Sequence, residues 1–117
     1  MEYYCSGPGR SNIEANIFEE PPGLEMCFIS EFFDPSQDAW IETIYVDPRD
    51  RGQGYGSKML TNFVNECYAN GVRRIMGALI PSTDSDEAYV IEWYRSQGFS
   101  IIEPRPCFRY IYRELEY

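Results

Sequence analysis

The chain has 117 residues, 44% hydrophobic and 16% aromatic, enough for one packed core and too apolar for a disordered segment. It has no histidine, and its four cysteines are scattered without a Cys-x-x-Cys pair. That excludes most zinc sites, cysteine–histidine catalysis and the Ser-His-Asp triad, and no metal site is expected. The net charge of −9 is uneven, with ten Asp/Glu against one Arg in residues 1–48 and nine of each sign in residues 49–117. Such a field repels nucleic acid and favours basic partners.

No apolar run approaches the ~20 residues of a membrane span, and Met1-Glu2-Tyr3-Tyr4 lacks the basic and apolar regions of a signal peptide, so a cytoplasmic location is expected. Residues 12–19 carry two patterns. Ser11-x-x-Glu14 reads as a helix capping box, while Ile13, Ala15 and Ile17 alternate like a strand. The turn at Pro21-Pro22-Gly23 favours the strand, followed by a second strand over 24–33, a loop over 34–38 and a third strand from Ala39 to Val46, an antiparallel meander.

A helix is predicted from Tyr55 to Asn70, where Met59, Leu60, Phe63, Val64 and Cys67 recur at helical spacing and Asn70-Gly71 is a stop signal. Arg73 to Ile80 reads as a strand, parallel to the previous one through a right-handed crossover. Asp84 or Ser85 can cap a second helix running to about Gln97, and strands at 99–102 and 107–113 finish the chain. The expected fold is a single α/β domain over residues 1–117, a mixed sheet whose antiparallel N-terminal meander precedes a β-α-β-α-β core.

The most informative stretch joins the third strand to the first helix. Gly52, Gly54 and Gly56 let the chain reach positive φ and approach a ligand closely. The helix start adds free amides and the positive end of a dipole, so the loop is built for an anion such as a pyrophosphate. Its G-x-G-x-G spacing fits neither a Walker A loop nor a dinucleotide fingerprint.

The loop resembles the acyl-CoA loop of the GCN5-related N-acetyltransferases (GNAT), [Arg/Gln]-x-x-Gly-x-[Gly/Ala], with Arg51, Gly54 and Gly56 in the motif positions and the lead-in Pro48-x-x-Arg51-Gly52. The segment Tyr94-Arg95-Ser96-Gln97-Gly98-Phe99 is similar to the family's Tyr-x-x-x-Gly-Phe. The likeness covers residues 39–102, and the short build resembles small phage-encoded members, some of which disable bacterial immunity proteins by lysine acetylation.

The resemblance implies acetyl transfer from acetyl-CoA to a primary amine. It implies pantetheine along the main chain of Ile44, Tyr45 and Val46, pyrophosphate on the amides of Gln53, Gly54, Tyr55, Gly56 and Ser57, and a thioester carbonyl polarised by an N–H near Ile44 or Tyr45. Tyr94 would protonate the departing thiolate. Glu42, the carboxylate inside the third strand and of the same parity as Ile44 and Val46, would be the base. The family's Asn-x-x-Ala positions fall on Glu87 and Val90. The acidic N-terminal half and the acidic loop 81–86 point to a basic acceptor, a protein lysine or a polyamine-like molecule, without direct nucleic-acid or membrane binding. A homodimer is possible on this reading. The alternative from another class is a non-catalytic acidic protein that keeps this fold and masks a basic nucleic-acid-binding target.

Overall fold

The computed structural model describes residues 1–27, 29–79, 87–106 and 108–117. The cap expected at Asp84 or Ser85 and the acidic loop 81–86 lie outside them. Among these residues eight principal elements follow in order: β1 (Glu2–Ser6), β2 (Asn12–Ile17), β3 (Asp38–Tyr45), α1 (Tyr55–Asn70), β4 (Arg74–Ala78), α2 (Glu87–Ser96), β5 (Ser100–Arg105) and β6 (Phe108–Glu114). They build one six-stranded sheet in the order β1-β2-β3-β4-β6-β5. All neighbours are antiparallel except β3 and β4, which α1 connects as a parallel pair.

Helix α1 has the predicted bounds because glycines close both ends: Gly54 (φ 83°) opens it and Gly71 (φ 77°) stops it. Its apolar stripe, Met59, Leu60, Phe63, Val64 and Cys67, packs on Ile13, Ala15, Ile41, Ile75 and Ile111 on one face of the sheet. On the other face Leu24, Ile29 and Phe33 cover Trp40, Met76 and Tyr110.

Two expectations are corrected. Residues 24–33 are not a strand: Leu24–Met26 is a short 3-10 turn and the remaining described residues are turns, a bend or irregular. Their buried apolar side chains, spaced by five and four, serve as a lid over the second core. The meander is therefore β1-β2-β3, with an outer strand at Glu2–Ser6 that the sequence reading did not assign.

The lid is tied to the sheet by a buried ion pair. Asp38 is fully buried and accepts from Arg74 through both oxygens, at 2.9 and 2.8 Å. One of these oxygens also accepts from Asp34 N–H at 2.8 Å, and Arg74 donates in addition to Phe32 C=O at 2.9 Å.

Strands β3 and β4 part company halfway. Their pairing runs from Asp38↔Arg74 to Ile41↔Gly77. Beyond that rung β3 continues to Tyr45, while Leu79 N–H bonds to Arg109 C=O on the β6 side at 2.9 Å. Gly77 is required there, because a Cβ would stand 2.9 Å from Ile41 O.

Candidate active site

A cavity of about 550 Å³ opens where β3 leaves β4. Its walls include Ile44, Tyr45, Val46, Arg51, Gly52, Gly54, Tyr55, Gly56, Ser57 and Tyr94, so the structure brings together most of the residues singled out from sequence. Asp50, Tyr89, Val90 and Trp93 complete the wall. The last three and Tyr94 form two adjacent i,i+4 pairs on α2, Tyr89 with Trp93 and Val90 with Tyr94, a signal that was available in the sequence. Gln53 is exposed and does not line the cavity.

Glu42 does not line it either, and its expected parity is corrected. Pairing with β2 passes from Glu14↔Thr43 to Ala15↔Ile41, so Glu42 is the extra residue of a β-bulge. Consequently Ile41 and Ile44, three apart, pack on the same core, and Glu42 stands exposed at the bend. Partial burial, and then the charge of Glu14, raise its carboxyl above the ordinary range.

The strand register decides which main-chain groups face the gap. Ile17 N–H donates to Met1 C=O at 2.7 Å, and the Met1 amine donates back to Ile17 C=O at 2.8 Å. Every second residue of β2 therefore turns to β1, including Ile13, the partner of both Cys5 and Ile44. Ile44 consequently points its N–H and C=O away from β2, into the gap, whereas Tyr45 turns its own toward Asn12.

The phosphate-type loop hangs on the end of β3. Asp47 is buried; its carboxylate accepts from Arg49 N–H at 3.1 Å, and its own N–H donates to the Ser11 hydroxyl at 2.8 Å. The Arg49 amide bond is the main cause that holds its carboxyl below the usual range. Arg51 Nε donates to Val46 C=O at 3.0 Å, closing the loop on itself. Gly52 and Gly54 have φ of 81° and 83° and open space where a Cβ would stand. The first helical bond of α1 runs from Lys58 N–H to Gly54 C=O at 3.0 Å, and no side chain caps this end. The amides of Tyr55, Gly56 and Ser57 thus precede the helical ladder. Gly56 is a packing glycine: a Cβ there would meet Val46 Cγ2 at 3.2 Å and Trp93 Cζ2 at 3.3 Å.

Tyr94 is fixed by edge contacts with Trp93 (5.0 Å between centroids) and Phe99 (5.9 Å). Gln97 ties α2 to α1 by donating to the Ser57 hydroxyl at 2.9 Å. Burial pushes the Tyr94 phenol up to about 12. Among the described residues no group of three or more His, Cys, Asp or Glu could hold a metal ion, and no helix is long and apolar enough to cross a membrane.

An anion cradle at a helix start, an apolar channel between parting parallel strands and a tyrosine at its wall are the features of one family, whose model, the acetyltransferase (GNAT) family, matches residues 17–99. The chain belongs to the GNAT family. Solved structures agree in fold. An acetyltransferase from Thermus thermophilus is 17% identical with a TM-score of 0.64, over 90% of this chain and 56% of that one. The PaiA N-acetyltransferase from Thermoplasma acidophilum, solved in complex with coenzyme A, is 11% identical with a TM-score of 0.64, over 90% and 53%. The anti-CRISPR protein AcrVA5 is 20% identical with a TM-score of 0.67, over 95% and 96%. This GNAT chain thus spans about half the length of the first two and nearly the whole of the third. No curated protein matches it in sequence.

Proposed function

We propose that the chain is an N-acetyltransferase that moves an acetyl group from acetyl-CoA to a primary amine of a basic acceptor, a protein lysine or a polyamine-like molecule. The observation that carries this reading is the convergence of three groups on one cavity: the uncapped amides of Tyr55 to Ser57, the gap-facing main chain of Ile44 and Tyr94 on its wall. Acetyl-CoA, when bound, supplies an acyl group already activated as a thioester.

The donor set fits the pyrophosphate and pantetheine parts of that molecule. Gly52 and Gly54 leave open space above the loop, and the amides of residues 55–57 would hold the pyrophosphate. Ile44, Val46, Val90 and Trp93 give apolar walls for the pantetheine arm. The Ile44 N–H would donate to the acyl carbonyl, a contribution of about 3 kcal/mol for a well-placed donor. Tyr94 would hold a proton for the leaving sulfur.

The acceptor must first lose a proton. An ammonium of pKa ~10.4 is neutral about once in 2500 at pH 7, a cost of ~4.6 kcal/mol. Glu42, turned outward by the bulge, would take that proton through water. We extend the proposal to a phage-type member with a protein acceptor; an anti-CRISPR protein of nearly the same span shares the fold.

A second reading, the acidic masking protein, is favoured by the net −9 of residues 1–48. Mass spectrometry of basic peptides, spermidine and candidate protein targets, with and without acetyl-CoA, separates the two. Acetylated product that requires both enzyme and cofactor supports transfer. Tight target binding with no product and no heat of acetyl-CoA binding supports masking.

A further inference from the structure

The two edges of the sheet are closed differently. β5 carries Pro104 and Arg105 at its end and Pro106 just beyond, residues that remove amide donors and add charge where pairing must be avoided. β1, at the other edge, has no proline, lysine or arginine.

The β1 hydrogen bonds can be assigned by residue. Met1 exchanges two bonds with Ile17, and Gly7 N–H donates to Ser11 C=O at 2.9 Å. The intervening odd residues, Tyr3 and Cys5, therefore turn their main chain to β2, and Glu2, Tyr4 and Ser6 turn theirs outward. Among the described residues no strand pairs with that side. Side chains follow the same alternation. The Tyr3 ring lies 5.0 Å from Phe63 on α1, so Glu2, Tyr4 and Ser6 stand on the opposite face, where Tyr4 is 63% exposed. Exposed Glu14 lies directly across from Tyr4 on β2, and β1, β2 and β3 contain no Lys or Arg at all.

We propose that this edge docks an extended basic segment of a protein partner, which adds as a further strand beside β1 and bonds to the main chain of Glu2, Tyr4 and Ser6. Two independent observations converge on it, the outward main-chain groups and a strand face whose charges are all acidic. An added strand places every second side chain over that face, where Lys or Arg would meet Glu2 and Glu14 and Asp or Glu would be repelled. A second copy fits less well, because pairing about Tyr4 would bring two chains of net charge −9 together with both glutamate sets on one face. Strand spacing puts the docked segment roughly 14 Å from β3. A lysine within it does not reach the cavity, so a lysine that accepts an acetyl group would lie outside the docked segment. The edge is thus a docking site separate from the cavity, and it stands whether or not the chain transfers acetyl groups.

The test omits acetyl-CoA. A labelled peptide of alternating lysine and threonine, long enough to span β1, is titrated by fluorescence anisotropy at low and high salt, and amide exchange is followed by NMR. Expected are binding that weakens with salt and slowed exchange at Tyr4 and Ser6, with Tyr3 and Cys5 unchanged. Tyr4→Pro removes an outward N–H while leaving the bonds to β2 intact, and should weaken binding about tenfold relative to Tyr4→Ala, which removes the ring alone. Glu14→Lys, which leaves the backbone alone, should shift preference toward the matching glutamate–threonine peptide and keeps the test valid if the proline variant fails to fold. Three results would overturn the proposal: binding without slowed exchange at Tyr4 and Ser6, equal binding of the glutamate–threonine peptide by the wild type, or slowed exchange that rises with protein concentration alone.

Discussion

Tyr94 illustrates how burial and chemistry pull against each other. A phenol pushed up to about 12 stays protonated throughout the working range, which suits a donor and unsuits a base. Giving that proton to a thiolate of ordinary pKa ~8.5 is uphill by roughly 3–4 units, so the hydroxyl assists a departure that it does not drive alone. Tyr94→Phe keeps the ring contacts with Trp93 and Phe99 and should lower turnover by about 10²-fold, with acetyl-CoA affinity nearly unchanged. A coupled thiol-release assay with calorimetry measures both; full turnover in the variant would return Tyr94 to a packing role. The same value sets the pH profile. Activity should keep rising toward pH 10 as more acceptor amine becomes neutral, with no loss from Tyr94 there. Glu42→Gln should fall most at neutral pH and recover at high pH, where the base is least needed; a uniform loss at every pH would mean that Glu42 only shapes the bulge.

At the level of elements, the glycine loop separates two effects that look alike in sequence. Gly54→Ala forces a left-handed φ on a residue with a Cβ, a strain of about 1 kcal/mol, yet meets no atom. Gly56→Ala adopts an ordinary helical φ but drives a Cβ into Val46 and Trp93, so overpacking of about 1–3 kcal/mol is expected and Trp93 must shift along the cavity wall. Both should weaken acetyl-CoA binding, and Gly56→Ala should lower the melting temperature more. Unchanged affinity in both would remove the loop from the site. From sequence alone, positive φ and contact with a pyrophosphate account for both glycines alike, because the packing of α2 over the helix start leaves no mark there; Gly56 is not at positive φ. Helix α1, β3 and β4 were legible because their apolar periods are long and end in Gly or turn residues. Residues 24–33 were misread because a lid over a second core is as apolar as a strand. The short β1 offered only Tyr3 and Cys5 as an inward pattern, and the bulge at Glu42 leaves no mark in a list of residues although it reverses which face each later side chain takes.

For the molecule as a whole, the shifted groups predict how stability depends on pH. Asp34 and Asp47 are held below the ordinary 3.8, chiefly by Ser36 and by the Arg49 amide. They protonate more readily in the unfolded chain, so their contribution is present above about pH 4 and is lost as the pH falls through their lower folded values. Glu42, raised by burial above 4.5, works the other way in a higher window: its weak contribution is present below that pH and is lost as the pH rises through its folded value. At the other end Cys67, fully buried, is pushed up from 9.0 to about 12, and Tyr94 from 10.0 to about 12. Here the folded chain binds the proton more tightly, so stability is complete below pH 9 and declines as each group is forced to ionise, by up to about 1.4 kcal/mol per pH unit for each proton. Urea midpoints should therefore be flat from about pH 5 to 9 and fall above it. Cys67→Ala leaves a small cavity under α1 and lowers the plateau, but it removes the earlier of the two alkaline contributions. Its decline should start near pH 10 instead of pH 9. If wild type and variant lose stability in parallel from pH 9, the thiol is reached by solvent in the folded state, and the core beneath α1 is looser than its packing against Ile75 and Ile111 implies.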